Sequence, residues 1–328
     1  MTDKATLQDH FVKAVIYSEQ IKEIFEEQLM ARPFVRWLTD FPEGDMIQIP
    51  SIGQGAPPVD YVEDTPVTYS DLDTGAFQFV ISEYLQTGNY ITKKAKQDSW
   101  YGDQLESMFV PKQARAFEER LEADIFDLQR LQTASNLNII NGVPHRWVGK
   151  GTNNGVTTLS IEDFSHAKYS LKKANVPLTN LIAVVDPSVS VVLETDANLR
   201  DVSFNPMWEG IITSGMTSGF RFIRNIYGWD VYESNWLAEI AAETINGRAL
   251  DVAATDSAAG TGKANMFMSM APEAVPFVGA WRQLPEVDFE YNKDFQRYEY
   301  VTTARYGLGL YRPESLVVIL SADNSVAV

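Results

Sequence analysis

The chain has 328 residues and a mass of 36.8 kDa, with 45% apolar and 22% charged residues, which excludes a disordered tail and leaves room for one large or two modest domains. It has no cysteine, so disulfides, thiolate catalysis and cysteine-ligated metal centres are excluded. Its 27 basic and 44 acidic residues give a net charge of −17, which argues against sequence-specific DNA reading and against binding to an anionic membrane, both of which depend on Lys and Arg.

The N-terminus (MTDKATLQDH) has no apolar signal core, and no run approaches the roughly 20 apolar residues needed to span a bilayer. Leu7, Phe11 and Val15, then Ile21, Ile24, Phe25 and Leu29, predict a helix over residues 4–31, ended by Pro33. A short extended piece, Ile47 to Ile52, precedes GQGAPP, where Gly53, Gly55, Pro57 and Pro58 break regular structure. Residues 59–92 read as one long hairpin. Val59, Tyr61, Val67 and Tyr69 form its first strand, SDLDTG its turn, and Phe77, Phe79 and Ile81 the start of its second. Such a hairpin is marginal alone in water and needs a surface to lie on, and another subunit is one such surface.

Residues 104–136 carry the strongest helical pattern: Phe117, Leu121, Ile125, Leu128 and Leu131 recur at spacings of four or three, with Pro111 placed in the first turns. Arg115 and Glu119 form an attractive i,i+4 pair and Glu118 and Glu122 a repulsive one. With no histidine nearby, the two glutamates read as a charged face rather than a metal site. A Gly/Asn-rich connection at 137–158 leads to Ser160 and Asp163, a capping box with Asp in place of Glu that opens a helix to about Ala174. Asn180 to Pro187 reads as a buried strand, Ser188 to Leu199 as a helix, and Gly219 to Ser234 as two strands joined by a turn at Tyr227–Gly228. Residues 155–280 thus form a mixed α/β domain. Val287, Phe289 and Tyr291, then Tyr298, Tyr300 and Thr302, alternate as strands, and Leu316 to Leu320 is a last strand. The expectation is one antiparallel sheet with the long helix across it.

Charge is unevenly spread. Between Arg36 and Lys93 there is no Lys or Arg, while Asp40, Glu43, Asp45, Asp60, Glu63, Asp64, Asp71, Asp73 and Glu83 fall inside. This is either a solvated acidic flank or a segment that meets basic side chains elsewhere, in the same chain or a neighbouring one.

Catalytic motifs fail. In Ala259–Ala264 (AGTGKA), Ser257 stands where a phosphate loop needs its first glycine and Ala264 where it needs Ser or Thr. Gly307-Leu308-Gly309 lacks the third glycine of a dinucleotide fingerprint, and there is no G-x-S-x-G elbow. The three histidines, His10, His145 and His166, make no zinc-binding spacing. Paired carboxylates of the glycosidase kind are set by space rather than spacing, which keeps a soluble α/β carbohydrate-active enzyme as an alternative. No catalytic residue, cofactor or metal is assigned.

The order of elements (arm, acidic two-stranded extension, long helix, α/β domain, closing antiparallel sheet) resembles the major capsid protein of tailed bacteriophages, the Johnson or HK-ninety-seven-type fold. The segments that carry the resemblance are Val59 to Ile91, Gln104 to Asn136, GFRFIRNIYGWDVYES and, above all, FQRYEYVTTARYGLGLYRPESLVVI from Phe295 to Ile319. The resemblance implies an α+β capsid-type fold. Its parts are an N-terminal arm (1–50), an extended hairpin or E-loop (51–92), a peripheral domain (93–150 and 281–328) with a spine helix at about 104–136, and an axial domain (151–280).

The same resemblance implies self-assembly into the pentamers and hexamers of an icosahedral shell enclosing double-stranded DNA, without enzymatic activity. It implies a location in the virion capsid after assembly in the host cytoplasm. The partners expected are other copies of the chain, a separate scaffolding protein and a portal, with the shell reinforced by noncovalent contacts or by a cement protein, and with no membrane. An encapsulin-like compartment shell is the alternative within the fold. Charge complementarity nominates Asp60, Glu63, Asp64, Asp71 and Asp73 as contacts to Lys112, Arg115, Arg120, Arg297, Arg305 and Arg312 of a neighbour. Gly53, Gly55, Pro57, Pro58 and Gly88 are candidate hinges, and the absence of lysine in the hairpin before Lys93 argues against a covalent lysine crosslink from its tip.

Overall fold

The computed structural model describes residues 29–38, 46–52, 58–60, 62–64, 66, 69, 74–98, 102–133, 138–153, 155–195, 222–240, 243–248, 250–257 and 262–322. The helix expected at 4–31 lies outside the described residues except at its end, where residues 29 and 30 are not helical and Arg32–Phe34 forms one 3-10 turn around Pro33.

In chain order, β1 (Val35–Leu38), β2 (Met46–Ile52), β3 (Thr74–Val80) and β4 (Glu83–Thr92) precede a short helix α1 (Lys93–Asp98) and the long helix α2 (Gly102–Asp127). Then follow β5 (Arg146–Val148), α3 (Ile161–Lys173), β6 (Leu181–Val185), α4 (Pro187–Thr195), β7 (Phe222–Ile226), β8 (Trp229–Glu233) and β9 (Gly262–Ser269). The chain closes with β10 (Phe277–Asn292), β11 (Arg297–Leu310) and β12 (Leu316–Ala322).

Two sheets organise these elements. The four-stranded sheet has the order β1-β10-β11-β4; β10 and β11 form a long antiparallel hairpin, with Phe277 opposite Leu310 at its base and Asn292 opposite Arg297 at its tip. Its ladder shifts register between Trp281 and Glu286, where Pro285 has no N–H to give. The seven-stranded sheet has the order β7-β8-β6-β9-β12-β5, with Glu239–Ile240 added to β9. In the β7–β8 hairpin, Tyr227 (φ 51°) and Gly228 (φ 87°) both take the left-handed backbone that a tight two-residue turn requires, at the place the sequence indicates.

The last strand does not join the sheet expected for it. Leu316–Ala322 runs antiparallel to β9 and parallel to β5 inside the seven-stranded sheet. Its side chains explain this. Leu316, Val318 and Leu320 enter one hydrophobic cluster, and Val317 and Ile319 enter another, so β12 is buried on both faces and needs a central position. The first cluster is continuous with α2 (Leu121, Ile125, Phe126) and with Phe277, Tyr306 and Leu310 of the four-stranded sheet. The second packs Phe164, Ala167 and Leu171 of α3 and Val189 and Leu193 of α4 against Trp147, Ala183, Val185, Trp229 and Phe267.

Helix α3 opens on the expected cap. The Asp163 carboxylate accepts from the Ser160 backbone N–H (2.8 Å) and hydroxyl (3.0 Å), and also from the Lys150 backbone N–H (3.0 Å). Helix α2 starts earlier than expected, so Pro111 lies in its interior instead of its first turns, and the helix gives way to a 3-10 segment at Leu128–Thr133. Gln132 ties that end down, donating to the Pro313 (2.8 Å) and Leu316 (2.7 Å) carbonyls between the two sheets.

Glu122 departs most from its expected role. It does not share an exposed face with Glu118; it is 2% exposed and turned inward. Its carboxylate accepts from the Met30 N–H (2.9 and 3.1 Å) and the Ala31 N–H (2.7 Å), fixing the chain just before β1 against α2. Nearby, the buried Tyr306 hydroxyl donates to Asp124 at 2.6 Å, and burial raises the pKa of both groups.

The hairpin also differs from its expected pairing. Strand β3 pairs with β2, Ile49 opposite Phe77, and residues 58–69 are not strand where described; β4 belongs to the four-stranded sheet. The acids Asp60, Glu63 and Asp64 make that stretch a poor ladder partner, whereas MIQIPSI is uncharged, carries three isoleucines and tolerates Pro50 within its two-stranded ladder. The root of this hairpin lies on β11. Phe79 and Ile81 join Val278 and Ala280 in a third buried cluster, and a Cβ at Gly307 would stand 2.9 Å from the Ile81 Cα and 3.0 Å from the Val80 carbonyl oxygen.

Three outcomes follow. Glu122→Gln loses one acceptor oxygen and turns an NH₂ toward N–H groups, so urea unfolding should show a loss of about 2–3 kcal/mol; an unchanged midpoint would remove the clasp. Gly307→Ala should cost about 1–3 kcal/mol by overpacking, whereas Gly88→Ala, whose Cβ meets only contacts at 3.9 Å, should be nearly neutral in the same assay. His145 is fully buried, and burial lowers its pKa to about 4. The unfolded chain takes up this proton below about pH 6.5 and the folded chain does not, so stability is lost from pH 6.5 down to 4 by about 3 kcal/mol and the loss levels off below. Unfolding of His145→Asn at pH 7 and pH 4 should show a fall smaller by that amount.

Candidate inter-subunit surface

The segment between β2 and β3 carries the acidic candidates. Asp60, Glu63 and Asp64 are exposed, Asp64 in left-handed backbone (φ 62°), and Asp71 and Asp73 lie outside the described residues. Three apolar side chains accompany them into solvent: Val59 (89% exposed), Val62 (60%) and Tyr69 (91%). Exposed acids alone are ordinary, and three scattered apolar side chains do not by themselves make a contact surface.

The basic candidates fall into two kinds. Four already hold a carboxylate of their own chain. Arg115 pairs with Glu119 at 3.0 Å, as its spacing indicates, and Arg120 pairs with Asp124 at 3.1 Å. Arg297 pairs with Glu299 and its guanidinium lies 4.6 Å over Tyr90 and 4.7 Å over Phe295; Arg312 pairs with Glu314 at 3.2 Å and lies over Tyr311. Lys112 is exposed on α2. Arg305 is different. It is half-buried on β11 between Gln283 and Tyr84, and no carboxylate among the described residues forms a salt bridge with it. It is the strongest of the basic candidates for a partner outside its own chain.

Of the hinge candidates, Gly53, Gly55 and Pro57 lie outside the described residues and Pro58 is exposed. Gly88 sits in mid-strand, its Cα opposite Val301 in an unbroken ladder, so rotation there would cost sheet hydrogen bonds and the hinge role does not fit it.

Sequence reasoning missed several exposed apolar side chains on and beside the four-stranded sheet. Tyr84 and Tyr90 of β4, Leu284 and Phe289 of β10 and Phe295 of the β10–β11 turn are each more than half exposed. They do not share one face: Tyr84 and Tyr90 stand opposite Arg305 and Glu299, whereas Phe289 stands opposite Tyr300, on the side of Thr302 and Tyr306. It also missed the buried Arg146, which pairs with Glu243 in bidentate fashion (3.0 and 2.8 Å) and donates to the Gln129 side chain (2.7 Å).

His145 is held with Nδ1 3.1 Å from the Val143 carbonyl oxygen, His166 is half-buried on α3, and His10 lies outside the described residues. Among the described residues, no group of three or more His, Asp or Glu is arranged to hold a metal ion, and no helix is long and apolar enough to cross a membrane.

No family model matches the chain, and no curated protein sequence does. Solved structures do match. The chain aligns with the capsid structure of the cyanophage P-SCSP1u at a TM-score of 0.68 and 14% identity, covering 97% of this chain and 95% of that one. It aligns with the capsid of Ralstonia phage GP4 at 0.64 and 11% identity, covering 95% and 96%. With a structure from Mycobacterium phage Che8 the TM-score is 0.62 at 13% identity, covering 93% and 96%. The α+β architecture of the described residues is therefore the fold found in the P-SCSP1u and GP4 capsid structures and in the Che8 structure.

Proposed function

We propose that the chain is the major shell subunit of a tailed-phage capsid, a structural rather than catalytic protein located in the virion. The observation that supports this best is a phage-capsid fold matched over more than nine-tenths of both chains. The acidic segment agrees with it: Asp60, Glu63, Asp64, Val59, Val62 and Tyr69 stand in solvent while its root is anchored on β11. Copies form pentamers and hexamers through the domain built on the seven-stranded sheet. The four-stranded sheets and α2 join these rings, and the hairpin straps each copy to its neighbour. The shell encloses double-stranded DNA without reading it, and the net charge of −17 keeps packaged DNA from adhering to the wall. A scaffolding protein, a portal and a cement protein complete the assembly.

The test is to express the chain alone and with a candidate scaffolding protein, and to examine the products by negative-stain electron microscopy and light scattering. Closed shells or five- and six-membered rings are expected; a small monodisperse oligomer in both preparations would favour the carbohydrate-active enzyme. Shells that form around protein cargo without a portal would favour the compartment reading. Within the shell reading, Arg305→Glu should reduce closed shells several-fold while leaving the unfolding midpoint of the free chain within about 0.5 kcal/mol. Normal shells from this variant would remove Arg305 from the contact.

A further inference from the structure

The four-stranded sheet has two long edges, and they are treated in opposite ways. Strand β1 covers β10 from Phe277 to Ala280, and among the described residues nothing pairs with that side of β10 from Trp281 to Asn292. That edge carries three common safeguards against stray pairing: Pro285, register shifts between Trp281 and Glu286, and the charges of Arg282, Glu286, Asp288 and Glu290. The other edge is β4. It pairs with β11 over ten consecutive positions, Glu83 opposite Tyr306 through Thr92 opposite Arg297, with no shift. From Tyr84 to Thr92 (YLQTGNYIT) it has no proline and no charged residue. Among the described residues nothing pairs with its outer side.

A straight, neutral edge of this length offers alternate N–H and C=O groups to any strand that approaches, and soluble proteins normally blunt such edges. The neighbouring side chains favour contact as well: Tyr84 and Tyr90 are each 60% exposed, and Val301, opposite Gly88, is 38% exposed. Safeguards on one edge and none on the other of the same sheet show that solvent exposure alone does not account for β4.

We infer that the outer edge of β4 pairs, strand to strand, with a second copy of this chain. A second copy is the occupant because the edge is neutral within a chain of charge −17: it is the stretch of backbone that two such acidic surfaces can bring together without opposing charges. Main-chain pairing also supplies a contact that does not depend on the acids of the hairpin. This inference rests on the shell reading for the supply of neighbouring copies.

The test is amide hydrogen exchange of the unassembled chain and of assembled shells, resolved over residues 84–92, together with Gln86→Lys, which places a charge on the edge at an exposed position. Alternate amides of β4 should exchange freely in the unassembled chain and at least about 100-fold more slowly in shells. Gln86→Lys should lower shell yield several-fold without moving the unfolding midpoint. Shells in which those amides stay fast would overturn the pairing and leave the shell reading intact. Amides already protected in the monomeric chain would show that its own segment covers the edge, and would overturn the inference too. A chain that stays monomeric even with a scaffolding protein would overturn both.

Discussion

The arrangement depends on the grip of Glu122 on the backbone of Met30 and Ala31. A carboxylate 2% exposed is costly unless donors surround it, and here two backbone N–H groups with no helical partner supply them. The bond settles several things together. It fixes where the N-terminal segment reaches α2, and therefore where β1 meets β10 in parallel register, Val35 opposite Phe277. It places Phe34 and Val35 in the core shared by α2 and both sheets. With Gln132 holding the far end of the helical segment to the Pro313 and Leu316 carbonyls, and Tyr306 donating to Asp124 between them, α2 and its 3-10 extension are tied by polar bonds along their length.

The opposite side of the four-stranded sheet answers to a steric constraint. The hairpin root crosses β11 so closely that a Cβ at Gly307 would overlap the Ile81 backbone at 2.9 Å and one at Gly309 would press on the Phe77 ring at 3.2 Å. These glycines, which at first suggest a fragment of a nucleotide fingerprint, are explained by close approach of two strands. The root is thereby rigid while the segment it supports is solvated, which suits a strap that reaches a neighbour from a fixed base.

Local chemistry was readable in the sequence and long-range pairing was not. The Ser160–Asp163 cap, the Tyr227–Gly228 turn and the Arg115–Glu119 pair each involve residues within four positions of one another, and each stands where the residue types require. The apolar run Leu316–Leu320 announced a buried strand, yet not which sheet would bury it, because that depends on β9 some fifty residues earlier. Spacing likewise put Glu122 beside Glu118 on one helix face. Its inward turn is decided by amides 91 and 92 positions away, a distance over which no periodicity carries information. In the candidate surface, the exposure of Asp60, Glu63 and Asp64 followed from composition, but the partners that Arg120, Arg297 and Arg312 find in their own chain had to be seen.

Those internal pairs bear on how a shell could close correctly. An exposed ion pair contributes about 0–1 kcal/mol, so an arginine that exchanges its own glutamate for a neighbour's aspartate gains little in a single contact. A shell held only by such exchanges would form contacts that are weak and tolerant of misplacement. Arg305, which forms no salt bridge with a carboxylate among the described residues, would gain more from an incoming acid, and a strand edge would add directional bonds that work only in register. In the proposed shell, weak charge exchange would let copies meet and part, and the register of a backbone ladder would then select the correctly placed ones. The neutral length of β4 within so acidic a chain would separate these two stages.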